Sequence, residues 1–257
     1  MFRRTIGPFG VKDLFTMVNL LSGVVAVGYV LRNQPRHAGY AVIVGFLLGD
    51  LVDGTVARRT GTANRFGAEF DSVSDHFVHV FVPGLVFFSV YERGGHGALG
   101  LVAVAALISG ATLRHARFAA ARFDYPLCWC GLPRTISGFA ALSFPLSTLF
   151  GHGGAAYPIG CAVVGGLSAL NLAPIPYLTH RGRRAMQPYV KVLVGGFFLA
   201  LPLSALVARR YTFDLMFVGM LWFACTGWIP VHPDERRDFR VEYRRWAAEL
   251  SGSRRTG

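Results

Sequence analysis

Eight apolar runs separated by short polar stretches divide the first 230 residues, at about 17–31, 38–56, 76–91, 98–120, 136–150, 156–178, 189–208 and 213–230. Each lies near the roughly 17–25 residues that an α-helix needs to cross a bilayer. The pattern predicts an all-α fold: a polytopic membrane helical bundle of about eight transmembrane helices. The first and third runs are short, and the second and third carry aspartates at their ends. No Ser/Pro-rich linker or charge block interrupts residues 1–230, which reads as one membrane domain. Residues 231–257 form a basic tail, and its segment RRDFRVEYRRWAAELSGSRR, with interleaved acids and Trp246, predicts an amphipathic interfacial helix on the cytoplasmic side.

Composition agrees: 53% hydrophobic and 16% charged residues exclude an ordinary soluble α/β domain and a disordered chain. The 26 Lys and Arg residues give a second reading of topology. With both termini on one side, that side receives 21 of them, and the other receives Arg32, Arg36, Arg93, Arg209 and Arg210. The positive-inside rule then puts both termini in the cytoplasm and the protein in the inner cell membrane. Arg3 and Arg4 precede an apolar run, but no small-residue cleavage site follows, so no cleavable signal peptide is expected. The net charge of +12 is explained by cytoplasmic arginines facing anionic lipid, and nucleic-acid binding is not needed.

Between the second and third spans lies GDLVDGTVARRTGTANRFGAEFDSVSDHF, with Asp50, Asp53, Asp71 and Asp75. Acids at membrane depth are expensive and usually functional. Asp50, Asp53, Gly54 and Ala57 fall at i, i+3, i+4 and i+7, one face of a helix, and Asp71 and Asp75 repeat at i, i+4. Four crowded carboxylates cannot all stay ionised without a counter-charge. All-oxygen donors suit hard cations, so the expected cofactor is Mg²⁺ or Mn²⁺. Gly54 and Gly67 leave room for a ligand against backbone, and Arg58 offers a fork that matches phosphate.

These residues, Asp50-xx-Asp53-Gly54-xx-Ala57-Arg58, eight residues, then Gly67-xxx-Asp71-xxx-Asp75, resemble the signature of the CDP-alcohol phosphatidyltransferases in full. The resemblance implies transfer of a phosphatidyl group from CDP-diacylglycerol to a small polar alcohol, with release of CMP. It implies a two-metal site on the four aspartates, with Asp75 as general base. Gly54, Ala57, Arg58 and Gly67 would bind the CDP-lipid, and the active site would face the cytoplasm. The same resemblance implies a homodimer.

Over most of its length the chain is similar to the phosphatidylserine synthase branch, through LFTMVNLLSG, DSVSD, Arg114-xx-Arg117-Phe118 and Gly131-Leu132-Pro133. That points to L-serine as acceptor, with choline, inositol phosphate or glycerol phosphate as alternatives. It departs from that branch at Ala119, Asp13 and His76. Arg114, Arg117 and Arg134, on the loop between the fourth and fifth runs, are candidates for the acceptor's carboxylate or a lipid phosphate. Their competing role is topology and anionic lipid contact. A cation-coupled transporter is the competing function class, since intramembrane carboxylates also mark ion pathways. The acids cluster at one end, and no inverted repeat is visible.

The remaining polar residues carry less. Cys128, Cys130, Cys161 and Cys225 lack the paired spacing of a zinc site and read as packing thiols. His76 and His79 could reach the aspartates. Gly23, Gly28, Gly160, Gly165, Gly166, Gly195 and Gly196 read as sites of close helix packing.

Overall fold

The computed structural model describes residues 10–50, 65–121, 123, 125–151, 153–179 and 188–252. Its helices are α1 (Val11–Leu31), α2 (Pro35–Gly45), α3 (Arg65–His76), α4 (Val82–Arg93), α5 (Gly97–Ala120), α6 (Arg134–Ser143), α7 (Ala156–Leu172), α8 (Pro188–Val207), α9 (Thr212–Thr226) and α10 (Pro233–Leu250). A single π-helical turn, Phe46–Asp50, extends α2, and another, Phe77–Phe81, joins α3 to α4. Local sequence sets several starts. The Asp13 carboxylate accepts from the Gly10 N–H at 2.6 Å at the head of α1, while Pro35 and Pro233 occupy the first turns of α2 and α10.

The chain is predominantly helical, as expected. Three stretches are long and apolar enough to cross a membrane: Asp13–Leu31, Phe66–Arg93 and Gly97–Ala120. Shorter apolar helices cover Ala156–Leu172 and Gly195–Val207. The third apolar run does not begin a helix at residue 76. It completes a helical stretch of 28 residues, Phe66–Arg93, that already contains Asp71 and Asp75. The fifth run, 136–150, is broken after Ser143 into two 3₁₀ turns, Phe144–Leu146 and Thr148–Phe150, with Pro145 at the break. The sixth, 156–178, stops at Leu172, because Pro174 and Pro176 cannot extend a helix.

The residues beyond α7 do something unanticipated. Pro176–Leu178 (β2) pairs antiparallel with Cys128–Cys130 (β1), Cys130 opposite Pro176 and Cys128 opposite Leu178. Cys128 and Cys130 are buried there, and burial pushes the Cys130 thiol up to about 11, so at neutral pH it is an unreactive apolar group. The tail forms the helix expected of it, and α10 packs Phe239 and Trp246 against Ala121, Cys128, Cys130 and Val231.

The core centres on α6, whose residues Ser137 to Ser143 are all buried. It packs against α4, α7, α9 and the Phe77–Phe81 turn. Pro83 explains that turn. A proline lacks the N–H that would bond the carbonyl four residues back, here His79, so the helix opens and Val82 N–H bonds Phe77 O instead. The His79 carbonyl comes against Gly138 of α6 so closely that a β-carbon there would overlap it. Phe46, His79 and Phe139 fill the space around this contact edge to face, with ring centroids 5.0–5.5 Å apart.

Of the seven glycines read as packing sites, two serve that purpose among the described residues. A β-carbon at Gly23 would meet Val78 and Phe77, and one at Gly160 would meet Phe144 and Tyr91. Gly28, Gly165, Gly166, Gly195 and Gly196 face open space within 4 Å. Gly138→Ala is therefore expected to lower stability by about 1–3 kcal/mol, as overpacking against backbone does, while Gly165→Ala stays within about 0.5 kcal/mol. Thermal unfolding of the detergent-solubilised variants checks this, and equal midpoints would remove the central role assigned to the Gly138 contact.

Candidate active site

The site is built on α3, where Gly67, Asp71 and Asp75 succeed one another at one-turn intervals on one face. Gly67 is buried, and Asp71 and Asp75 are partly exposed. Asp75 is the hub. Its Oδ1 accepts from Asn19 Nδ2 of α1 at 3.4 Å and lies 3.3 Å from Nδ1 of the fully buried His79. Its Oδ2 lies 3.8 Å from an Arg134 guanidinium nitrogen, and both side chains are about one-sixth exposed, at 16% and 15%. A carboxylate held this way has its rotamer fixed from two helices and the π-turn.

Asn19 and the first π-turn are brought to the same place. Gly49, the residue before Asp50, lies against Phe15 O and Asn19 N of α1, leaving no space for a side chain. Gly45 lies equally close to Ser22, and the Ser22 hydroxyl donates to Asn19 O at 2.6 Å. The backbone that enters the first aspartate pair and the Asp75 carboxylate thus meet on opposite sides of Asn19. For Asp50 only the backbone is described, and Asp53, Gly54, Ala57 and Arg58 lie outside the described residues.

Arg134 reaches the site because of the turn before it. Gly131 adopts φ +73°, a left-handed conformation that favours glycine, and its N–H donates to Ile175 O at 2.9 Å. Leu132 N–H donates to Leu170 O at 2.9 Å, which docks the Gly-Leu-Pro turn onto the end of α7 and starts α6 at Arg134. The guanidinium donates to Ser72 O at 3.1 Å and to Ser72 Oγ at 3.3 Å, and it lies 3.4 Å from His115 Nδ1. His115 also meets Ser72 Oγ at 3.3 Å, and His76 Nε2 meets Thr112 Oγ1 at 3.2 Å.

The other two arginines are placed differently. Both lie within the last two turns of α5, not on a loop. Arg114 donates to Cys130 O at 3.2 Å and stacks over Phe118 at 4.7 Å. Arg117 donates to Leu172 O at 2.9 Å and covers the Trp246 ring at 4.9 Å. They tie β1, the end of α7 and the tail helix to α5. Asp13 has a plain explanation as well, as the acid that caps α1. Sequence reasoning missed Asn19, Ser72 and His115. Asn19 carried a signal, being an amide in an apolar run, where polar groups are costly.

The described donors suit a hard cation. Asp71 and Asp75 supply carboxylates one turn apart, and the buried Asn19 Oδ1 beside them has no hydrogen-bond partner among the described residues. Among the described residues no three His, Cys, Asp or Glu side chains converge on a metal position, and the other aspartate pair lies outside them.

Comparison with known sequences agrees with this architecture. The profile of the CDP-alcohol phosphatidyltransferase family matches residues 10–166. The chain is 30% identical over 122 residues to a CDP-diacylglycerol–serine O-phosphatidyltransferase of Helicobacter pylori, covering 47% of this chain and 51% of that protein. It is 26% identical over 248 residues to the protein of that name from Mycobacterium leprae, covering 90% of this chain and 80% of the relative. A phosphatidylinositol phosphate synthase of Streptomyces avermitilis is 30% identical over 137 residues, 51% of this chain and 52% of that protein. The matches to the first and third span about half of each relative's length. With α1 to α7 carrying the match and the aspartate signature at its centre, the chain is an integral membrane protein that belongs to the CDP-alcohol phosphatidyltransferase family.

Proposed function

We propose that the protein transfers the phosphatidyl group of CDP-diacylglycerol to the hydroxyl of L-serine and releases CMP. The observation that supports it best is Asp75 held between Asn19 and His79 with the Arg134 guanidinium 3.8 Å away, a base and a cation side by side. Divalent cations, Mg²⁺ or Mn²⁺, on Asp50, Asp53, Asp71 and Asp75 would neutralise the pyrophosphate and stabilise CMP as it leaves. Gly54, Ala57 and Gly67 would let the nucleotide lie against bare helix, and Arg58 would hold a phosphate.

Asp75 takes the proton of the attacking hydroxyl. That proton must leave during attack, because a serine hydroxyl is far too weak an acid to ionise at neutral pH. Arg134 receives the acceptor's carboxylate, since a planar fork binds a carboxylate with two parallel hydrogen bonds. Arg134 also donates to Ser72 O, but of the three arginines it is the one within 4 Å of Asp75, whereas Arg114 and Arg117 reach Cys130 O and Leu172 O and take no part in this assignment. The serine-named relatives from Helicobacter and Mycobacterium support this acceptor, and the relative named for phosphatidylinositol phosphate makes inositol phosphate the alternative to test beside it.

CMP release from CDP-diacylglycerol with purified protein and a panel of serine, choline, inositol phosphate and glycerol phosphate tests the assignment. Activity is expected with serine, to vanish in EDTA and to return with Mg²⁺ or Mn²⁺. Release with inositol phosphate alone would overturn serine and keep the transfer chemistry. Full activity in a metal-free preparation would remove the metal site.

Point variants separate the roles. Asp75→Asn should lose turnover by about 10²–10⁴-fold with nucleotide binding retained, whereas Asp53→Asn should weaken both. Arg134→Lys should raise the KM for serine well above any change in that for CDP-diacylglycerol, since lysine keeps the charge and loses the fork. Equal changes in the two KM values would make Arg134 a support of Asp75 alone.

The same reading places eight spans in the cell membrane with both termini and the site on the cytoplasmic side. Tags at residues 1 and 257 should report cytoplasm and a tag within 151–155 the opposite side. A C-terminus on the far side would reduce the number of spans by one.

A further inference from the structure

A cavity of about 490 Å³ lies between α10 and the segment that carries β2, and none of the residues that hold Asp75 is among its described walls. Its walls include Pro176, Trp228, Arg236, Arg240, Tyr243 and Arg244, and among the described residues no carboxylate lines it. Arg236, Arg240 and Arg244 recur every four residues, so one stripe of α10 faces the space. Arg236 is committed to the protein. It donates to Val231 O at 2.9 Å and to Ile229 O at 2.8 Å, and it covers the Trp228 ring at 5.6 Å.

Arg240 and Arg244 differ: both are exposed, and neither has a hydrogen bond or ion pair among the described residues. The acid Glu242 turns elsewhere and pairs with Arg245 at 3.6 Å. Two guanidinium groups one turn apart, unneutralised over a cavity, call for an anion with several acceptor oxygens. The rim supplies the second half of the chemistry. Trp228 and Ile229, just beyond the last apolar helix, are 40% and 54% exposed. An indole and a branched aliphatic side chain standing beside arginines is what a protein presents at the level of lipid headgroups.

We propose that this cavity binds the headgroup phosphate of an anionic phospholipid, held between Arg240 and Arg244 with its acyl chains running along Trp228 and Ile229. The site anchors α10 to the membrane at a fixed point instead of through diffuse charge. It is separate from the catalytic centre and does not depend on the identity of the acceptor.

Native mass spectrometry of the detergent-solubilised full chain, titrated with phosphatidylglycerol or with phosphatidylcholine, tests it. Phosphatidylglycerol should be retained, and about tenfold more weakly in Arg240→Ala/Arg244→Ala, while Arg254→Ala/Arg255→Ala, which removes the same charge from the sequence that follows α10, should bind as the parent does. If the alanine pair fails to fold, Arg240→Gln/Arg244→Gln gives the same readout with the side-chain stems kept. Equal loss in both pairs would reduce the effect to surface charge and overturn the site. So would phosphatidylcholine binding as tightly as phosphatidylglycerol. Displacement of the lipid by millimolar inorganic phosphate would make the ligand a soluble phosphate and overturn the lipid assignment.

Discussion

The close approach of the His79 carbonyl to Gly138 governs where the chemistry sits. Pro83 withdraws the donor a regular helix would offer to that carbonyl, and the π-turn Phe77–Phe81 follows. One residue inserted into a helix rotates what lies beyond it by about 100°. The face that carries Asp71 and Asp75 is thereby released from the face of α4 that must pack in the core. Without the insertion, a continuous helix from Phe66 to Arg93 would have to turn its carboxylates and its buried residues Val82, Val86 and Val90 according to a single period. Gly138 is the complement on α6, since any side chain there would push the turn, and with it His79, away from Asp75.

The arginines divide between tying the outer elements together and flanking Asp75 according to what precedes them. Arg114 and Arg117 project from a long regular helix toward the ends of β1 and α7, where carbonyls without helical or strand partners accept their N–H groups. Both also lie over aromatic rings, which suits a guanidinium removed from water. Arg134 comes instead from the first position of a buried helix, delivered by a glycine turn to the flank of Asp75. Charge alone does not separate the three. The backbone that carries them does.

The sequence was most legible where chemistry constrains spacing. Helical content, the Gly67, Asp71 and Asp75 face and the amphipathic tail follow from periodicity, and the structure keeps them. Periodicity was blind to the π-turns, because an inserted residue preserves the apolar composition while changing the phase. It merged α7 with β2, since a short strand of Pro, Tyr and Leu is as apolar as the helix before it. It also overvalued glycine: Gly165 and Gly166 read as packing sites and face open space. Sequence offered Arg114, Arg117 and Arg134 together, because arginines look alike until their partners are known.

Depth ties the parts together. At 1.5 Å per residue, Asn19 lies about 12 Å beyond the start of α1 and Asp75 about 15 Å beyond the start of α3, and their side chains meet. Two helices thus bring an amide and a carboxylate together at similar distances along their axes, up to about half the roughly 30 Å thickness of a bilayer's hydrocarbon layer. Asp75 and the Arg134 beside it are about one-sixth exposed, removed from water enough for their electrostatics to be stronger than at an open surface. The residues that orient Asp75 come from the protein interior, with Asn19 on α1 and His79 on the π-turn, so the position of the carboxylate is set by the same packing that places Gly138.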